Sequence, residues 1–366
     1  MEITKIAITG GPCGGKTTGL SYIERYFTKL GYKVVFVGET ATELILSGLS
    51  DKAFADYSDF EKSIIKLQLL KEDYYYNLCK TLPYEKILLV CDRGAMDCKT
   101  YITQECFDNI LKDLNMTEVD LRDNYDAVFH LVTAAKGAEE FYTTANNSAR
   151  TETVEQARAL DDKTINSWTG HPHFRVIDNA GTFEEKLRRL AKEICSVLGK
   201  PVPFEIERKF LIEKPDEAFL STLPNCRKVD IIQTYLQTDE DETRIRQRGG
   251  EGSYIYTITT KKTISKSKRI ENERRITERE YLTYLTTADT TMHQIKKTRY
   301  CLMHDNKYFE IDIYPFAKNK AICEIELLSE DEKFDFPPFI KVIKEVTDDT
   351  SFSNYSFAKS IPEEMN

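Results

Sequence analysis

Residues Phe204-Glu205-Ile206-Glu207-Arg208-Lys209-Phe210 alternate charged side chains with mostly apolar ones, so an extended strand here puts Glu205, Glu207 and Lys209 on one face. The same spacing returns in Arg244 and Arg246, Thr259 and Lys261, Glu278 and Glu280, Lys297 and Arg299, Glu310 and Asp312, and Glu324 and Glu326. One such pair is an ordinary solvated sheet face. A succession of them predicts a closed sheet with a charged interior. Uncompensated ions in a dry interior cost on the order of several kcal/mol each, so this interior has to be wet, metal-filled and open to a ligand. The basic set is Lys209, Arg244, Arg246, Lys261, Lys297 and Arg299, whose ammonium and guanidinium groups suit phosphate oxygens. The acidic set is Glu205, Glu207, Glu278, Glu280, Glu310, Asp312, Glu324 and Glu326, hard ligands for Mg²⁺ or Mn²⁺. A linear polyphosphate satisfies both sets, and the chemistry implied is metal-assisted phosphoanhydride cleavage.

A second chemical stretch is Gly10-Gly11-Pro12-Cys13-Gly14-Gly15-Lys16-Thr17, followed by Thr18, which fits G-x-x-x-x-G-K-[ST]. Its backbone N–H groups wrap the β- and γ-phosphates of ATP or GTP, Lys16 brings the cation that acts on them, and Thr17 offers a hydroxyl to Mg²⁺. The flanks agree: Ile3–Thr9 reads as a buried strand, and Leu20, Ile23, Phe27 and Leu30 mark a helix face that Gly31 ends. Further strands are expected at Lys33–Val37, Ile87–Val90, Ala127–Val132 and Phe174–Ile177, with a helical pattern from Phe60 to Leu78. Glu39 lies just past a strand end, where a ligand crevice forms, and suits a second substrate, a metal or a plain surface loop. Asp92 is placed to hold Mg²⁺ directly or through its water, and Arg93, with Asp97 nearby, to reach phosphate oxygens. Arg150 and Arg158 fit a lid closing over phosphates, or solvated helix positions. Asp178 and Asn179 follow the last strand of this half. His171-Pro172-His173 makes a weak metal motif, lacking a nearby third ligand. Thr182-x-x-Glu185 opens a helix burying Phe183, Leu187, Leu190, Ile194 and Val197, and Gly199 stops it. Pro201-Val202-Pro203 is stiff and short, which divides the chain into residues 1–200 and 201–366.

With 366 residues there is room for two full cores. A net charge of -9 excludes a general nucleic-acid binder, so no specific nucleic-acid partner is expected. No apolar run approaches the ~20 residues needed to cross a bilayer, the first residues lack the form of a signal peptide, and a cytoplasmic location is expected. The nine cysteines are scattered and read as buried thiols; Cys13, inside the phosphate loop, would be oxidation-sensitive only as a thiolate.

Glu205-x-Glu207-x-Lys209 resembles the signature of the CYTH, or triphosphate tunnel metalloenzyme, family, and the later pairs match its successive strand motifs. Glu345-Val346-Thr347 with Asn354 resembles its closing segment. The resemblance implies an α+β domain built on an eight-stranded antiparallel tunnel. Glu205, Glu207 and the late acidic pairs then hold metal, the basic pairs hold triphosphate, and Glu205, Glu207 and Lys209 act in catalysis. Ile276 stands where a basic partner is often found, and the basic run Lys261–Arg275 lengthens the compact form. The first half resembles AAA-type P-loop domains fused to such a tunnel, an α/β doubly wound parallel sheet, and within P-loop proteins it looks like the kinase branch. There the loop at Asn179 often touches the base. The order of the two halves resembles the TRPL-translocation-defect family, which implies nucleotide binding and phosphoinositide-linked trafficking. Three readings stay open: a tunnel hydrolase, a small-molecule kinase with Glu39 as base, and a nucleotide-switched adaptor. The adaptor would hold an inositol phosphate and meet an anionic membrane peripherally through Lys262, Lys266, Lys268 and Arg269.

Overall fold

The computed structural model describes residues 1–142, 153–199, 206–238, 242–250, 252–265, 268–327 and 333–365. The chain forms two compact units, Met1–Leu198 and Gly199–Asn366.

The first unit alternates strands and helices: β1 (Glu2–Gly10), α1 (Lys16–Lys29), β2 (Lys33–Val37), α2 (Thr40–Leu46), α3 (Tyr57–Cys79), β3 (Lys86–Asp92), α4 (Gln104–Leu114), α5 (Glu118–Arg122), β4 (Ala127–Leu131), α6 (Val154–Trp168), β5 (Phe174–Ile177) and α7 (Phe183–Val197). The strands are parallel in the order β2-β3-β1-β4-β5. Near-continuous apolar runs suit a sheet covered on both faces, and Ile6 to Ile8, Ile87 to Cys91 and Ala127 to Phe129 are fully buried. The chain leaves β1 toward β2 but leaves β4 toward β5, so neighbouring connections diverge at the carboxyl ends of the central strands. That is where a doubly wound sheet opens a crevice.

Two expected core positions of this unit are exposed, and Leu20 and Val197 are only half-buried. Leu30 is the residue capping α1 rather than part of it and is 44% exposed. Phe183 is the first residue of α7 and is 47% exposed. Side chains on a helix lean toward its N-terminus, and the Phe183 ring lies against the phosphate loop, where a Cβ on Gly15 would sit 2.6 Å from it. With φ at +88° as well, Gly15 has to be glycine.

The second unit runs β6 (Ile206–Glu213), α8 (Glu217–Thr222), β7 (Cys226–Tyr235), β8 (Glu242–Gly250), β9 (Ser253–Ser265), β10 (Lys268–Ile276), α9 (Glu278–Leu285), β11 (Ile295–His304), β12 (Lys307–Ile313), β13 (Lys320–Leu327), β14 (Val342–Glu345) and α10 (Asn354–Lys359). Nine antiparallel strands pair in the order β10-β9-β8-β7-β11-β12-β13-β6-β14. One face buries Phe210, Ile212, Tyr300, Leu302, Phe309, Ile311, Cys323 and Ile325, with Phe334, Phe336 and Phe339 packed on them.

The antiparallel sheet agrees with expectation, but it has nine strands among the described residues rather than eight, and two of the expected strand carboxylates lie off it. The basic run is the β9–β10 hairpin, which extends one edge of the sheet, and β14 adds to the free edge of β6 at the other. No ladder joins β10 to β14 among the described residues. Glu278 and Glu280 are not strand residues. They open α9, where the Thr277 hydroxyl accepts the Glu280 N–H at 3.2 Å and the Glu280 carboxylate accepts the Thr277 N–H at 2.7 Å. This reciprocal cap outweighs the period-two look of the pair.

Candidate functional site

In the first unit, parallel strands bring the loop after β1, Glu39 after β2 and Asp92-Arg93 at the end of β3 to one edge of the sheet. A Cβ at Gly10 or Gly14 would meet the Leu131 carbonyl at 2.3 or 2.5 Å, so this loop fits only as glycine against the end of β4. Cys13 sits at φ 58°. Lys16 Nζ donates to the Gly10 carbonyl at 3.2 Å, while Thr17 and Thr18 begin α1 exposed. Burial, with Arg93 adding, lowers the Lys16 ammonium to about 8 against the pull of Glu39, Asp92 and Asp97.

Burial pushes the Asp92 carboxyl up, and its Oδ1 is buried with no hydrogen-bond partner. A hard, unpaired oxygen beside the phosphate-loop lysine fits a divalent cation. Arg93, at φ 67°, donates Nε to Glu39 at 2.5 Å and Nη1 to Asp97 at 3.2 Å. Asp97 is buried and also accepts from Thr9 at 2.7 Å and Trp168 at 2.5 Å, so its role here is to anchor Arg93. Burial raises Glu39, but Arg93 and Lys16 outweigh it and hold the carboxyl below its ordinary range.

The other candidates of this unit are engaged elsewhere. Arg158 donates to the Ala135 carbonyl at 2.6 Å and to Glu139 at 2.8 Å. Asn179 donates to the carbonyls of Thr133 and Lys136, both at 2.7 Å, and accepts from Lys186 at 2.6 Å, so its amide clamps the loop after β4. His171 is buried, with Nε2 against the Tyr125 carbonyl and Nδ1 accepting the His173 N–H. Arg150 lies outside the described residues.

In the second unit, strand register places the charged residues on the face opposite the aromatic core. Lys209 lies across from Glu324, Glu324 from Glu310, and Asp312 from Arg299. Arg246 lies across from Gln233 and Thr257, and Thr259 from Arg244 and Glu273. Arg299 is the hub. It donates to Asp312 at 2.6 and 2.7 Å, to Glu324 at 2.8 Å, and to Glu310. Lys297 reaches Asp312 at 2.5 Å, and Lys209 reaches Glu324 at 2.8 Å and Glu207 at 3.6 Å. Despite burial, these cations hold Asp312 and Glu324 below the usual carboxylate range.

The β8 end of this face carries the opposite imbalance. Arg246 is lowered by burial and by Arg244, Arg299 and Arg248, with Glu273 opposing at 4.0 Å. Lys261 extends this basic end, across from Glu242 on β8. Among the described residues, no three His, Cys or acidic side chains converge as a ready metal cage. Glu205, the Glu326 side chain and the side chains of Lys262, Lys266, Lys268 and Arg269 lie outside the described residues.

Residues 5–186 match the family model of the AAA domain. An inorganic triphosphatase from Nitrosomonas europaea is 33% identical over 162 residues, 43% of this chain and 99% of that protein. The chain belongs to the family of that triphosphatase. A crystal structure of an inorganic triphosphatase aligns with 43% of this chain and 99% of its own at 32% identity, with a TM-score of 0.32. A solved structure of deoxyadenosine kinase from M. mycoides with bound dATP aligns with 52% of this chain and 98% of its own at 19% identity, with a TM-score of 0.36.

Two residues of this triphosphatase-family chain escaped the sequence reading. Asp161, wholly buried in α6, accepts the N–H groups of Gly11 at 3.1 Å and Thr133 at 3.0 Å and pairs with His130 and Lys136, each at 2.9 Å. No local motif marks it. Glu273 accepts from Thr259 at 2.7 Å and supplies the carboxylate facing Arg246. The Glu271-Asn272-Glu273 alternation was the available signal, hidden inside a run read as basic.

Proposed function

We propose that the second unit hydrolyses inorganic triphosphate or a longer polyphosphate on its charged face with Mg²⁺ or Mn²⁺, while the AAA-type P-loop unit binds and hydrolyses ATP or GTP. The chain is a phosphoanhydride-acting enzyme by family. The kinship extends over 162 residues, close to the length of Gly199–Asn366, and we assign it there. Membership of the tunnel metalloenzymes, in the arrangement of the TRPL-translocation-defect family, belongs to the same proposal and is supported by the charged alternation on β6, β8, β11, β12 and β13.

The observation that carries the reading is the separation of charge along one face. At the β8 end, burial, with Arg244, Arg299 and Arg248 adding to it, depresses the Arg246 guanidinium, a cost that phosphate oxygens remove. Arg299 and Lys209 continue the basic track toward Glu207, whose side chain is 46% exposed and lies 3.6 Å from the Lys209 ammonium. We assign Glu207 to the cation, with Glu205 of the same motif and Glu326, which lies across from Glu207 in the strand register. A bound divalent cation would screen the phosphates and acidify water. The chain's own part is to align a polyanion by its equatorial oxygens and to fix its scissile bond near Glu207. In the P-loop unit, Thr17 and Asp92 would hold the cation.

The test is phosphate release from tripolyphosphate, pyrophosphate, ATP and GTP by the full chain, with Mg²⁺ or Mn²⁺. Glu207→Ala and Arg246→Ala should each remove tripolyphosphate turnover while leaving the circular-dichroism spectrum unchanged. Undiminished turnover in both folded variants overturns the reading.

A further inference from the structure

On the charged face of the second unit, three neighbouring strands each carry a buried polar atom without a partner, and the three lie in one row. Gln233 on β7 is across from Arg246 on β8, and Arg246 from Thr257 on β9. Directly opposed residues of an antiparallel ladder share a face, and strands stand about 4.8 Å apart, so these side chains rise side by side. Gln233 Oε1, Arg246 Nε and Thr257 Oγ1 are each buried with no hydrogen-bond partner. Gln233 is wholly buried, where an unmatched polar atom is most costly.

The chemistry of the row points to one kind of ligand. Arg246 Nε–H and the Thr257 hydroxyl are donors. Gln233 can be a third. Its Nε2 lies 2.6 Å from the Tyr235 hydroxyl, which Arg244 also hydrogen-bonds. A half-turn of the amide keeps that contact, with the phenol now donating to Oε1, and brings the amide N–H groups to the unpartnered side. Glu273, the carboxylate facing Arg246, stands 4.0 Å away and leaves the guanidinium Nε unmatched. Three donors, one of them cationic, call for an anion with three acceptor oxygens. The end group of a linear phosphate chain has three non-bridging oxygens, whereas each phosphorus inside a chain or a ring has two.

We propose that Gln233, Arg246 and Thr257 form the seat of a terminal phosphate group, each donating to one of its three non-bridging oxygens, so that the charged face selects chain ends over internal or cyclic phosphates. The proposal rests on the triphosphatase reading of this face and adds to it two neutral residues, Gln233 and Thr257. An end group seated there fixes how far the rest of the chain reaches past Arg299 and Lys209 toward Glu207, which sets the phosphoanhydride bond presented for cleavage.

The test is calorimetric titration of the full chain carrying Lys16→Ala, which removes the phosphate-loop cation so that the charged face is read by itself. The probes are tripolyphosphate and trimetaphosphate, a ring without ends. Gln233→Met is close to isosteric, Thr257→Val keeps the shape of the side chain, and urea midpoints show which variants are folded; where one is not, the other decides. Each should weaken tripolyphosphate binding about 10-fold and trimetaphosphate binding less than about 2-fold. Unchanged tripolyphosphate affinity overturns the proposal, and so does an equal loss for both anions, which would make the row structural. Phosphate release tells this failure from that of the triphosphatase reading. Release from tripolyphosphate with a KM indifferent to both substitutions sinks the terminal seat alone, whereas binding that follows the row without any release sinks the hydrolase alone.

Discussion

Asp161 accepts the backbone N–H of Gly11 at 3.1 Å, a contact that ties the middle of α6 to the phosphate loop across 150 positions of sequence. The same oxygen takes the Thr133 N–H and faces His130, while the other meets Lys136. Its contacts with His130 and Lys136 hold the carboxyl far below its ordinary range in spite of burial. Asp161→Asn puts an amide N–H among these donors. Loss of a partner in a buried charged network costs about 3–5 kcal/mol, and we expect that loss in urea unfolding with at least a tenfold weaker nucleotide affinity. Unchanged affinity in a folded variant would show that the phosphate loop keeps its shape without Asp161.

Much of the first unit was legible because its signals are local. Gly10 to Thr17 is a contiguous motif, and the parallel strands announce themselves as apolar runs. Asp161 had no such signal: a lone carboxylate in a polar helix looks solvated until the fold places it under a loop. In the second unit, period two correctly aligned Lys209, Arg244, Arg246, Lys297, Arg299, Glu310, Asp312 and Glu324 on one face. It failed at Glu278 and Glu280, since i and i+2 also recur in the first turn of a helix. Sheet closure was not readable, because pairing at the edges depends on which segments dock there.

Arg299 tests whether the acidic cluster is stable in its own right. Removing its guanidinium in Arg299→Ala leaves Asp312, Glu310 and Glu324 facing one another, with Asp312 fully buried. The expected cost is about 3–5 kcal/mol of unfolding free energy. Arg299→Lys keeps one charge but not the fork, and should recover only part of it. A loss below about 1 kcal/mol, the range of exposed pairs, would mean these contacts are solvated.

Acid should find the same cluster. The folded carboxyls of Asp312 and Glu324 lie below their unfolded values, so the unfolded chain binds more protons as pH falls. Their stabilisation is fully present above about pH 5 and is lost as the pH falls through the unfolded values near 4 toward the folded ones. Urea midpoints measured from pH 7 downward should therefore drop below about pH 5, and the drop should be shallower in the double variant Asp312→Asn, Glu324→Gln. An equally steep drop in that variant would assign acid sensitivity to other groups.

Lys16 makes nucleotide binding a proton-linked event. With its ammonium lowered to about 8, the free protein near that pH carries the charge only part of the time. A triphosphate beside Lys16 favours the ammonium and raises its value, so binding near pH 8 should take up about half a proton at this group. Calorimetric titration of the full chain with an ATP analogue at pH 8, in two buffers of different ionisation enthalpy, reads that uptake directly. It should shrink at pH 6, where Lys16 is already charged. Equal enthalpies in both buffers at pH 8 would show that Lys16 is fully protonated before the nucleotide arrives.

The last prediction separates two glutamates that sequence spacing cannot rank. Glu280 accepts from Thr277 and caps α9, and glutamine serves a capping box as well as glutamate does. Glu280→Gln should therefore change stability by less than about 0.5 kcal/mol and leave phosphate release as it was. Glu273 is the carboxylate that faces Arg246 from β10 and accepts from buried Thr259. Glu273→Gln removes the charge opposing Arg244, Arg246 and Arg248, so the KM for tripolyphosphate should shift about 10-fold while kcat changes little. Parallel steady-state measurements decide it: if Glu280→Gln impairs turnover and Glu273→Gln does not, the charged face works through the helix residue and the register-based site is wrong.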